Sequence, residues 1–542
     1  MPTIIDNLVE YKGSKSNFAG WFNEAVWGHR LQAQRGWATT LEFLGMVEGL
    51  IEGASLLTET QPDVEVAYTA PVSKELRILI FNNPRMVQIR NDHQDNEDAM
   101  WENWLKDIAA RVGDEPINFG YLRNSISSFS DLVERVELVR KLVLDTGKTN
   151  KYTYRLLFPI GPAALYEPNE LNFIRDRNTF TRTGEITYLM VSRASRQHRD
   201  ELRRLLEEFL DTNTSRNRLV LSLMPPGKKD RGSKKGATYL PYQEHPAFNR
   251  LAEDLIAILR LGLPHQDALE HIRFIIPLHL YIYGVETSAA WSKSTSEMPF
   301  LICEIPGPRM DVVRRASIGN KDENEAMGQD AMRSYVNRRI GADKEVALIL
   351  SEDFQPDLSE KDRAGELANE MSRLFALNDD HMETLRKFDT RDEVLSGIRR
   401  EAEKAYRLGT MPALESLGRE AGLIDSRGTV KKRYAPTDSL LRALVFANIV
   451  DDVPVEEADF LELLLKKYGI VFGAREAAIT IGKHNPQHYD EADYKLNQGR
   501  LSRRLVGLGL GNTMSDACTY VLNPLGRPRQ SSSQQAGHPG QA

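Results

Sequence analysis

Four short stretches concentrate arginine and lysine, the side chains that neutralise phosphates and release their counterions. Arg193, Arg196, His198, Arg199, Arg203 and Arg204 form the first, and Lys228, Lys229, Arg231, Lys234 and Lys235 the second. Lys431, Lys432 and Arg433 form the third, and Lys495, Arg500, Arg503 and Arg504 the fourth. Each alone is as well explained by a solvated face or an intersubunit salt bridge. Four in one chain point to nucleic acid meeting at least one of them, with double-stranded DNA as the expected partner. The residues expected to touch it are Lys228, Lys229, Arg231, Lys234, Lys235, Lys431, Lys432, Arg433, Arg500, Arg503 and Arg504.

Catalytic patterns mostly fail on inspection. Gly147-Lys148-Thr149 has the end of a phosphate-binding loop, but Leu142 stands where the first loop glycine belongs. No cradle of backbone N–H groups then precedes the lysine, and the tripeptide reads as a helix end followed by a turn. His484 and His488 have the spacing of two metal ligands on a helix, yet Gly482 and Asn485-Pro486 argue for a polar loop, with Asp490, Glu491 and Asp493 beside it. His265, His271 and His279 lie in apolar sequence and read as packed histidines. Cys303 and Glu304 end an apolar run with no identifiable histidine partner, so neither is persuasive as a nucleophile. Glu10-Tyr-Lys12 and Glu401-Ala-Glu-Lys404 match the Glu-x-Lys of metal-dependent nucleases without an aligned upstream acid. No catalytic residue, metal or cofactor is expected; a divergent metal-dependent nuclease is the alternative.

Elements must position these side chains. Leu414, Leu417, Gly418, Gly422 and Leu423, with Thr429-Val430 opening a second helix, resemble a helix-turn-helix that would carry Lys431, Lys432 and Arg433 on or just after its recognition element. The spacing from Gly422 to Thr429 is longer than in the compact motif. Leu132, Val136, Val139 and Val143 mark an amphipathic helix over 131–144, and Pro436-Thr437 starts another. Phe460, Leu461, Leu464, Leu465 and Tyr468 form a third, stopped by Gly469. Strands are expected over 75–81, 152–158, 186–191 and 218–224, and strands or buried segments over 273–283 and 300–305. Residues 225–246 read as a long, basic, mobile loop.

The expected class is therefore α+β, predominantly helical and multidomain. A mainly helical part covers 1–150, a mixed α/β section 151–350, and a helix-rich, winged-helix-like part 360–523. The Pro-, Gly-, Ser- and Gln-rich stretch 524–542 is expected to be disordered.

The 542 residues, 41% hydrophobic and 27% charged, exclude a wholly disordered or collagen-like chain. A net charge of −7 means that nucleic-acid binding must come from local patches. Two cysteines fit a reducing compartment. No apolar run approaches a bilayer span and the N-terminus does not read as a signal peptide, so a cytoplasmic protein without membrane contact is expected.

Longer strings carry a resemblance: 129–140 (FSDLVERVELVR), 158–166 (FPIGPAALY), 180–190 (FTRTGEITYLM) and 459–473 (DFLELLLKKYGIVFG), with Leu508-Gly-Leu-Gly511 and Ser515-Asp516-Ala517 beyond. Together they resemble a large component of bacterial methylation-associated anti-phage defence systems, related to phosphorothioation-dependent restriction. The resemblance implies a part in telling self from foreign DNA beside separately encoded methyltransferase, ATPase and nuclease subunits. It carries no catalytic residue onto this chain. The implied function is a non-catalytic subunit binding DNA, partner subunits or both; a pure protein scaffold is the further alternative.

Overall fold

The computed structural model describes residues 18–142 and 181–528, with Ile4, Leu8 and Val9. Short stretches within that span are excepted: 35, 52, 54, 63, 73, 82, 113–116, 212–216, 227–229, 232–233, 238, 294–296, 309–310, 353, 427–430, 483–488 and 515–517. The expected strand 152–158, the Gly147-Lys148-Thr149 tripeptide, His484 and His488 lie outside the described residues, as do 529–542.

The chain is predominantly helical, and its β-structure is limited to short two- and three-stranded sheets. Its axis is helix His265–Lys293, buried on every side over most of its length and carrying Pro277 inside it. Packed around it are helices Asp311–Ala342, Pro246–Arg260, Thr410–Glu420, Asp438–Asn448 and Gly36–Ile51. The strand or buried segment expected over 273–283 is thus a buried stretch of a helix. The strands expected over 75–81 (helix Lys74–Phe81), 186–191 (helix Gly184–Ser192) and, for its first residues, 218–224 (helix Arg218–Leu221) are helical too. All nine residues of Gly184–Ser192 are buried. A helix apolar all round has no 3.6-residue stripe, and a short apolar run then looks the same as a buried strand.

Gly184 sits where its helix crosses Gly36–Ile51: a Cβ there would lie 2.4 Å from the Thr39 carbonyl oxygen and 2.5 Å from the Phe43 nitrogen. Both obstacles are backbone and cannot swing away. Gly184→Ala is expected to cost about 1–3 kcal/mol or more, read as a drop in the urea midpoint.

Packing joins residues on either side of position 150. Helices Phe18–Trp27 and Gly36–Ile51 contribute to the large core, where Trp27 Nε1 donates to the Gly284 carbonyl at 3.2 Å. A second cluster gathers Leu76, Trp101, Trp104, Phe129, Leu132, Val136 and Val139, joined by Val220 and Leu223 from far along the chain. The 225–246 stretch is also tied down. Strand Asp230–Arg231 pairs antiparallel with Pro71–Val72, and Lys235–Ala237 with Val66–Tyr68, while Leu240 and Tyr242 are fully buried. The long mobile loop is therefore, in its described parts, a pair of small ladders. Residues 524–528 are likewise anchored, with the Arg527 N–H donating to the Val450 carbonyl and the Asp452 N–H to that of Arg527.

Polar groups cross the large core. Asp254, fully buried, receives hydrogen bonds from His279 Nε2 at 2.7 Å and Tyr468 Oη at 2.8 Å, and Lys467 Nζ lies 2.5 Å from its other oxygen. Burial pushes this carboxyl up, but Lys467 and His279 outweigh it and hold Asp254 below the ordinary carboxylate range. His271 packs edge-on to Phe446 at 4.6 Å, and burial, with Arg442 adding to it, pushes its imidazole down to about 4. The unfolded chain therefore takes up this proton first as pH falls. His271 leaves the fold at full stability above about pH 6.5 and withdraws about 3 kcal/mol between there and about pH 4. His271→Phe is expected to flatten that acid limb in urea midpoints measured across pH.

Among the described residues, no helix is long and apolar enough to cross a membrane.

Candidate functional site

The first basic cluster is spent inside the chain. Arg193 is buried and donates to the carbonyls of Leu240 (2.8 Å) and Tyr242 (2.6 Å), and burial brings its guanidinium down to about 10. Arg199 meets Glu59 at 2.9 Å, Arg203 donates to the Leu56 carbonyl at 2.7 Å, and Arg204 meets Glu208 at 3.5 Å. In the second cluster, Lys228 and Lys229 lie outside the described residues, Arg231 and Lys235 sit in the small strands, and Lys234 is exposed.

The third and fourth clusters meet. Helix Glu491–Gly507 starts at Asp490, whose carboxylate accepts from the Asp493 N–H, and turns Tyr494, Asn497, Leu501 and Leu505 inward. Those spacings of three, four and four leave Arg500, Arg503 and Arg504 together beside the buried stripe. Asn497 fixes the helix to a parallel strand pair, Leu301–Ile302 with Ile470–Val471. Its Oδ1 accepts from the Ile305 N–H at 2.8 Å, and its Nδ2 donates to the carbonyls of Cys303 and Phe472, each at 2.9 Å. One amide thus satisfies three backbone groups where the two strands end.

Beyond Ile305 the chain runs Pro306-Gly307-Pro308 beneath Arg500, whose Nη2 donates to the Pro308 carbonyl. A Cβ on Gly307 would lie 2.5 Å from the Arg500 Cζ, so the bare glycine makes room for the guanidinium. On the other side stands Arg433, in strand Arg433–Tyr434, which pairs antiparallel with Ile424–Asp425. Arg433 is 2% exposed and is held by the fully buried Glu304, which also takes Arg314 Nη2 at 2.8 Å on its other oxygen. The Tyr434 carbonyl accepts from the Glu304 N–H at 2.9 Å and the Ser317 hydroxyl at 3.1 Å, locking this hairpin to the 301–305 segment.

The result is a cavity of about 580 Å³ walled by Pro306, Gly307, Pro308, Asp425 and the four arginines 433, 500, 503 and 504. Arg503 is exposed and its Nε donates only to Gly499 of its own helix, at 3.1 Å; Arg504 pairs with Asp438. Guanidinium forks facing a recess of this size suit an oxyanion with several terminal oxygens.

The same geometry corrects the expected recognition helix. Thr429 and Val430 lie outside the described residues, but Arg433 belongs to a β-hairpin, and the next helix opens at Asp438 with Thr437 as its N-cap. Lys431 is exposed, and Lys432 reaches back to Glu415 at 2.6 Å. Arg433 is removed from the set of exposed cations because Glu304 engages it in the interior. Arg314, Asn497 and Gly307 escaped the sequence reading, and Glu304, weighed there only as a nucleophile, gave a signal as an acid closing an apolar run just before Pro306-Gly307-Pro308. Cys303 is fully buried and burial pushes its thiol well above the ordinary cysteine range, which leaves it protonated and unreactive. Among the described residues, no group of three or more His, Cys, Asp or Glu side chains is arranged to hold a metal ion.

The chain matches no protein-family model, no curated protein and no solved structure.

Proposed function

We propose that the chain is a non-catalytic, DNA-binding subunit of a bacterial anti-phage defence complex, acting beside separately encoded ATPase, methyltransferase or nuclease subunits. The observation that supports DNA contact is the convergence of arginines from residues 433 and 500–504 on one open cavity. In this reading Arg500 and Arg503 meet DNA phosphates directly. Lys431, exposed in the connection between strands Ile424–Asp425 and Arg433–Tyr434, extends the contact in the manner of the wing of a winged helix. Phosphate contacts position a protein on duplex without reading sequence, which suits a subunit that leaves discrimination to its partners.

The test is duplex binding by the purified chain across salt concentrations. Each phosphate neutralised contributes a slope of about −0.9 in log K against log salt, so two or more contacts predict a slope steeper than about −1.8. A flat dependence would turn the reading to a protein scaffold, whose cations meet acidic partner surfaces.

A further inference from the structure

We infer that the arginine cavity takes a phosphate monoester, the group borne by a nucleoside monophosphate or by the 5′ end of a DNA strand, and not the diester of an uninterrupted backbone. The inference rests on reading this site as the DNA-facing one. It is carried by charge, donors and size.

Among the described residues, the charges lining the cavity and those ion-paired with them are five arginines, Arg314, Arg433, Arg500, Arg503 and Arg504, against three carboxylates, Glu304, Asp425 and Asp438. A surplus of two positive charges matches a monoester, which carries about −1.5 to −2 at neutral pH. A diester carries about −1 and would leave the recess positively charged.

The donors point the same way. Arg500 Nη1 is buried with no hydrogen-bond partner among the described residues, although Nη2 of the same guanidinium is satisfied by Pro308. Arg503 has no carboxylate partner among the described residues. Two guanidinium forks from one helix face can grip three terminal oxygens, the number a monoester offers; a diester has two.

The size of the recess admits a chain end. At about 580 Å³ the cavity falls within the range of sites that enclose a small ligand. In this proposal the internal phosphates of a duplex meet the exposed Arg503, and a terminal phosphate reaches the half-buried Arg500 over Gly307.

The experiment compares three versions of one short duplex on the full chain by fluorescence anisotropy: 5′-phosphorylated, 5′-hydroxyl, and covalently closed at both ends. The phosphorylated duplex is expected to bind about tenfold tighter than the other two. Arg500→Ala with Arg503→Ala should erase that preference, and Gly307→Ala should reduce it by displacing the Arg500 guanidinium, with thermal melting confirming that each variant folds. Calorimetry with adenosine monophosphate separates the two sources of the ligand. Tight binding that competes with the duplex supports a free nucleotide, and preference for the phosphorylated duplex without it supports a strand end. Equal affinity for all three duplexes would overturn the monoester assignment while leaving DNA binding intact. Adenosine monophosphate binding with no affinity for any duplex would keep the monoester assignment and overturn the DNA reading.

Discussion

Glu304→Ala is expected to lower the stability of the fold by about 3–5 kcal/mol. The carboxylate is fully buried and is shared by Arg433, itself 2% exposed, and Arg314. Its removal leaves a guanidinium in the interior with its principal counter-charge gone, and the penalty is that of an uncompensated buried ion. Urea unfolding reads the change as a lower midpoint with an unaltered slope. Arg433→Glu would be worse, because it sets two carboxylates against one another in the same enclosed space, whereas Arg433→Met with Glu304→Leu should recover much of the loss by replacing the pair with apolar volume. A midpoint close to wild type for Glu304→Ala would mean that the ion triad contributes nothing to holding the 424–434 hairpin.

Arg500→Glu combined with Arg503→Glu is expected to cut duplex affinity by about 100-fold at moderate salt and to flatten the salt slope by about 1.8, the share of two phosphate contacts. Arg500 is half-buried and Arg503 exposed, so thermal stability should change little. The contrast with Glu304→Ala is the point of the pair: one variant weakens the fold, the other only the surface the fold presents. Undiminished affinity in the arginine double variant would move the DNA contact away from this helix.

The elements with one wet face were legible in the sequence. Leu132, Val136 and Val139 define the inward stripe of helix Phe129–Leu142, and all three are fully buried. Thr437 caps helix Asp438–Asn448, and Gly469, at a φ of 71°, ends helix Glu457–Tyr468 where an L side chain would be strained. What failed were segments immersed on all sides, such as 186–191, whose apolar residues carry no period to read. The site was half legible. Arg500, Arg503 and Arg504 stand out as a cluster by composition alone. Their meeting with Pro306-Gly307-Pro308 depends on a parallel strand pairing that no local pattern announces, and Arg433 faces a buried acid because the Glu304 N–H donates to the Tyr434 carbonyl across the chain.

Asn497 and Cys303, joined through one amide, are 194 residues apart in the chain. While the protein is being synthesised, the helix Pro246–Arg260 and the axial helix can pack as they emerge, but strand Leu301–Ile302 must wait, unpaired, until residues 470–497 have left the ribosome. Closing so long a loop adds little to the equilibrium cost, which grows only with the logarithm of its length, but it delays the step. The arginine cavity is therefore completed late, only after residues 470–504 have emerged, and a chain truncated before them would have no anion site to offer.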